Sequence, residues 1–132
     1  MIMLLTHQQE LRIQLSRSLQ ADGHSVVIPH HREDMVAVLN TSKPNLIVLD
    51  LYMNHPSGIE DLKILRDEGY QGGIIVLSGP SMMPILKGIY RSGVESVVQG
   101  PAKINGQYHL GTLQSAISSW RHSAISRRAY AL

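Results

Sequence analysis

Asp50 ends the run Leu46-Ile47-Val48-Leu49-Asp50 and is followed by Leu51-Tyr52-Met53-Asn54-His55-Pro56-Ser57-Gly58. Four consecutive aliphatic residues closed by turn formers predict a strand buried on both faces, as in the middle of a parallel sheet. A carboxylate at the end of such a strand is either a reactive group or a structural acceptor. Ser78 closes a second apolar run, Gly73 to Leu77, and Thr6-His7 follows a third, Ile2 to Leu5. A carboxylate, two hydroxyls and an imidazole are therefore placed at strand ends. His7 beside Asp50 would pair with the carboxylate. Thr6, His7 and Asp50 together would form an imidazole–carboxylate set suited to a transition metal such as zinc. Nucleophilic catalysis by Ser78 finds no support, because no Gly-x-Ser-x-Gly elbow presents it. No Gly-x-Gly-x-x-Gly follows the first run, which argues against a dinucleotide site. His30, His31 and His55 read as solvated loop residues.

The elements that position these groups follow from periodicity. After Ile2–Leu5, Thr6-His7-Gln8-Gln9 has the capping-box form, with a helix from about Gln8 to Ala21 on the Leu11, Leu15, Leu19 stripe. Asp22-Gly23 ends it. Ser25 to Ile28 reads as a second strand closed by Pro29, and Glu33 to Leu39 as a short helix. Pro44 forbids that helix from continuing. The Asp50 strand comes next, then a helix from Gly58 to Gly69 and a strand from Gly72 to Ser78. A helix over Met82 to Tyr90 carries a kink expected at Pro84, and a fifth strand over Val94 to Val98 ends at Gly100-Pro101. Five strand–helix alternations imply a parallel sheet with right-handed crossovers and helices on both faces. The fold class is α/β: a doubly wound five-stranded parallel sheet, flavodoxin-like, with a long C-terminal helix. Such sheets hold ligands beyond the carboxyl ends of their strands, which selects Thr6, His7, Asp50, Ser78 and Gly100.

Composition narrows the classes. The 132 residues, 43% hydrophobic and 17% charged, suit one globular domain with its own core. Without cysteine there is no disulfide framework, thiolate nucleophile or cysteine-ligated zinc. No apolar run approaches the roughly 18 residues of a membrane span. The apolar start is too short and lacks the basic flank of a signal peptide, so a cytoplasmic location is expected. Net charge is +2 with His neutral. Arg121, His122, Arg127 and Arg128 crowd the C-terminus, where a helix end favours cations. Without interleaved aromatics they are weak support for nucleic-acid binding.

Over residues 1–104 the chain resembles the receiver domain of bacterial two-component response regulators. The resemblance is carried by Pro44-Asn45-Leu46 before the strand, Asp50 at its end, Met53, Gly58, Ser78-Gly79 and Gly100-Pro101. It implies that Asp50 stands at the phosphoacceptor position, with a histidine kinase as donor and Ser78 as the hydroxyl that binds a phosphoryl oxygen. It also implies an acidic pair after the first strand to hold Mg²⁺ and a lysine after the fifth. Here Thr6-His7 replaces the acids, Gly100 the lysine and Val97 the aromatic switch residue. Losing a preorganised cation costs on the order of several kcal/mol in the transition state. Lys103, three residues on, is the available substitute, and Tyr52 is expected to line the site. The expected reading is a pseudo-receiver, not an enzyme and without a cofactor, that acts by binding a protein. The alternative is a phosphorelay acceptor that uses Asp50 and Mg²⁺.

Residues 105–132 read as an irregular stretch through Asn105-Gly106 and an extended helix of the same domain. Leu110, Leu113, Ile117, Trp120 and Ala124 alternate steps of three and four, a heptad-like seam. Two uses are open: cover for the domain's own sheet, or a contact with another chain. With Arg121 beside it, Trp120 resembles an interface anchor. A homodimer through this helix is the first expectation for a partner, with a histidine kinase or downstream regulator also possible. No output domain follows, so a direct transcriptional role for this chain alone is not expected.

Overall fold

The computed structural model of the chain describes residues 1–51, 57–79, 86–91 and 93–130. For residues 32, 57–58, 86–87, 90 and 124–130 it describes the backbone alone. The elements are β1 (Ile2–Leu5), α1 (Gln9–Ala21), β2 (Val26–Val27), a 3₁₀ turn (Arg32–Asp34), α2 (Met35–Ser42), β3 (Leu46–Asp50), α3 (Ser57–Asp67) and β4 (Gly73–Ser78). They continue with α4 (Leu86–Arg91), β5 (Ser96–Gln99), β6 (Lys103–Ile104), β7 (Gln107–Tyr108) and α5 (Gly111–Tyr130). Five strands form one parallel sheet in the order β2-β1-β3-β4-β5. The doubly wound, flavodoxin-like architecture is therefore as expected. The kink expected at Pro84, Tyr52 and His55 lie outside the described residues.

Strand alternation divides the core into two layers. Met3, Leu5, Ile47, Leu49, Ile74 and Val76 face Met35 and Leu39 of α2, Leu62 and Leu65 of α3, and Ile89 of α4. Ile2, Leu4, Leu46, Val48, Ile75, Leu77 and Val98 face Leu11, Leu15 and Leu19 of α1 and Leu113 and Ile117 of α5. All of β1, β3 and β4 is buried, which is why those segments read as unbroken apolar runs. Helix α1 ends as its Asp22-Gly23 signal implies. His24 N–H donates to Leu19 O and Gly23 N–H to Gln20 O, a Schellman closure with Gly23 at φ 90°.

Two segments depart from the sequence reading. Helix α2 extends to Ser42, where Lys43 turns the chain with φ 48°. Residues 103–108 form a hairpin, with Lys103 opposite Tyr108 and Ile104 opposite Gln107. Asn105 and Gly106, at φ 52° and 77°, fill the two left-handed positions of its turn.

Candidate functional site

Parallel pairing of β1 with β3 matches Leu5 to Leu49, so Thr6 and Asp50 come next along the same edge. Both are buried, Asp50 at 1% exposure and Thr6 at 6%. Thr6 Oγ1 donates a hydrogen bond of 2.6 Å to Asp50 Oδ2. This is the short O–H···O distance of a charge-assisted bond. Thr6 Oγ1 in turn accepts the Gln8 backbone N–H at 3.2 Å. The capping box expected at Thr6 is thereby corrected. The helix N-cap is Gln8, two residues later, and makes no side-chain cap bond; the Thr6 hydroxyl instead joins the Gln8 N–H to Asp50, accepting from one and donating to the other.

Ser78 ends β4 and is buried at 1% exposure, beside Asp50 in the strand order: Asp50 pairs with Leu77, the residue before Ser78. Its carbonyl accepts the Gly100 N–H at 2.9 Å, so the β4–β5 ladder reaches the expected lysine position. Gly100 has φ 92° and precedes a cis bond to Pro101. A Cβ at Gly100 would lie 2.8 Å from Ala102 N. Gly100 therefore differs from a lysine in backbone as well as side chain, since L residues are disfavoured at that φ.

A family model described as the response regulator receiver domain matches residues 2–106. The chain belongs to this family. Over 102 residues the receiver is 26% identical to the Regulator of RpoS from Escherichia coli K12, a match covering 77% of this chain and 30% of that protein. It is 30% identical over 77 residues to Response regulator MprA from Mycobacterium avium, covering 58% of this chain and 34% of that one. The receiver thus spans about a third of the length of the curated relatives it matches. Among solved structures, it superposes with TM-score 0.78 and 18% identity on the signal receiver domain of a putative Luxo repressor protein from Vibrio parahaemolyticus, covering 98% of this chain and 95% of that one. A response regulator from Burkholderia pseudomallei with a phosphorylated aspartic acid, calcium ion and citrate gives TM-score 0.72 at 18% identity, covering 98% of this chain and 72% of that one. The function this establishes is coarse: a receiver domain of two-component signalling.

The receiver's expected Mg²⁺ meets a donor set that does not suit it. Mg²⁺ requires hard oxygens in near-octahedral geometry. The β1 loop supplies a hydroxyl and an imidazole, and the Thr6 hydroxyl already donates to Asp50 Oδ2. Among the described residues no three His, Cys, Asp or Glu side chains converge as a metal site. The set Thr6, His7 and Asp50 holds only two such ligands, and the Thr6 hydroxyl donates to Asp50.

Lys103 does not line this site. Its ammonium pairs with Glu10 on α1 and lies 5.7 Å from the Tyr108 ring centre. The hydrogen bond to Glu10 holds the Lys103 pKa above its ordinary value. Gln14 secures the same hairpin, donating to Gly106 O at 3.0 Å and accepting the Tyr108 N–H at 2.8 Å. The hairpin redirects the cation because its turn carries residues 103–108 over α1, away from β3.

The apolar seam of α5 also resolves. Leu113 and Ile117 are buried at 1% and 3% exposure, with Leu110, Ala116 and Trp120 packed around them in the domain's own core. Trp120 crosses Gly73, where a Cβ would sit 2.3 Å from its indole nitrogen. Of the residues assigned to a partner surface, Arg121 alone is exposed. Leu113 and Ile117 thus cover the domain's own sheet, and the expected partner surface is corrected for these two residues.

Sequence reasoning missed Asp61 and Arg12. Asp61 is a carboxylate at 3% exposure on α3, four residues before the buried Leu65. That spacing places it on the core-facing stripe and was the available signal. Together with Thr6, His7, Arg12, Pro29, His30 and His31 it lines a cleft beside the Asp50 edge.

Proposed function

We propose that this receiver domain is a pseudo-receiver: it signals by binding a protein partner in the cytoplasm, without enzymatic activity and without Mg²⁺-dependent phosphotransfer. The observation that carries the reading is the buried Thr6–Asp50 hydrogen bond, formed where an acceptor would need a free carboxylate oxygen beside a cation. Gly100 at the lysine position and the pairing of Lys103 with Glu10 support it. With neither cation preorganised, several kcal/mol of transition-state stabilisation are missing.

The partner is a histidine kinase or a downstream regulator. We do not carry forward a homodimer through Leu110, Leu113, Ile117 and Trp120, because separating that seam from the sheet would open the core. The phosphoacceptor alternative is favoured by the retention of Asp50 and Ser78 together at neighbouring strand ends. The test is incubation with a small acyl phosphate and Mg²⁺, read by intact mass. No added mass is the expected result. An acid-labile gain of one phosphoryl group that disappears in Asp50→Asn would overturn the reading.

A further inference from the structure

The carboxyl edge holds a second group of side chains that the Asp50 site does not use. Between the loop after β1 and the loop after β2 lies a cleft lined by Leu5, Thr6, His7, Arg12, Pro29, His30, His31, Met35 and Asp61. Its free volume is about 350 Å³ including the mouth, where it opens to solvent. Three histidines and an arginine line it from three separate chain segments. Among the described residues the half-buried Arg12 guanidinium has no hydrogen-bond or ion-pair partner, and neither imidazole of His30-His31 has one. An unpaired guanidinium held half-buried beside a cleft is suited to bidentate capture of a planar or tetrahedral oxyanion.

We propose that this cleft binds a small oxyanion of the phosphate class, held by Arg12 with His7, His30 and His31. A metal ion is the obvious rival for a three-histidine group, but no three of these ligating side chains converge among the described residues. Thr6 contributes a wall only, because its proton is donated to Asp50. The opposing charge inside the cleft is Asp61, with Glu60 beside it in sequence on α3 and Glu33 and Asp34 on the turn after His31. Among the described residues that line the cleft, Arg12 and Asp61 carry the opposite formal charges, so the anion competes with a carboxylate and affinity is modest.

Inorganic phosphate, titrated into the full chain and followed by calorimetry and by imidazole ¹⁵N shifts, tests this. The expected result is saturable binding with shifts at His30 and His31. Arg12→Gln should weaken it about tenfold or more, the range for losing a charge-assisted bidentate contact. Arg12→Lys should give an intermediate loss. His30→Gln/His31→Gln should also weaken binding, with circular dichroism confirming that each variant folds. Three results would overturn the proposal. The first is the absence of saturable binding. The second is binding kept by Arg12→Gln and lost in Asp50→Asn, which moves the ion to the β3 edge. The third is histidine shifts produced by Zn²⁺ and not by phosphate.

Discussion

The end of β3 and the loop after β5 are adjacent parts of one sheet edge, yet they have diverged in different ways. At β3 the residues expected of a receiver are in place, Asp50 and Ser78 are buried, and the new feature is a neighbour, Thr6, that occupies the carboxylate. After β5 the chemistry has moved. Gly100 stands at the lysine position in a left-handed conformation, and the nearest lysine is turned outward to α1 by a hairpin. The buried edge is constrained, because an unpartnered carboxylate there would cost free energy, whereas the hairpin is exposed and its polar contacts are screened. Asp50 thus stands at the expected strand end while the residues around it differ from those the receiver resemblance implies.

The sharpest way to break this comparison is to ask whether α5 belongs to the domain. Ile117→Ala should cost about 2–5 kcal/mol in denaturant unfolding, the range for a buried large-to-small change. Sedimentation should show the same mass as the parent chain. A drop in mass with little loss of stability would return the seam to a dimer interface.

Next is the edge itself. Thr6→Val keeps the shape and removes the donor to Asp50, and should cost about 1–3 kcal/mol. If it instead leaves stability unchanged, the bond is not what holds the carboxylate.

A smaller effect is expected from restoring the family residue. Gly100→Lys should destabilise by about 1–2 kcal/mol from its left-handed backbone. It should yield no phosphorylation by a small phosphodonor. A gain of phosphoryl mass would show that the missing lysine was the only barrier.

The smallest effects concern the hairpin. Lys103→Met should leave the global unfolding midpoint where it is and speed amide exchange in β6 and β7. The Glu10 hydrogen bond raises the Lys103 pKa, so the pair contributes in full below the ordinary lysine value of about 10.4. That contribution is lost as pH rises through the folded value. Hairpin protection should therefore fall in strong alkali, and Lys103→Met should show no such fall.

Much of the scaffold was legible. The apolar runs of β1, β3 and β4 are buried on both faces, so their hydrophobicity is continuous and their ends stand out. The positions of Asp50, Ser78 and Thr6 followed directly from those ends. The hairpin was missed although Asn105-Gly106 is a strong turn signal, because its strands are two residues each and carry no alternation long enough to read. Asp61 was missed because a charge on a helix is ordinarily solvent-facing, and only its phase against Leu65 marks it as inward.

By itself the sequence determined the strand order class, the identity of the residues at the sheet edge and the absence of the family's acids and lysine. Those properties depend on local periodicity and on residue type. Tertiary structure alone decided that Thr6 donates to Asp50, that Lys103 serves α1, that the α5 seam faces inward, and that Arg12, Asp61 and three histidines share one cleft. Each of these joins side chains far apart in the chain. Spacing along a sequence carries no information about which of several possible partners a side chain meets once strands and helices pack.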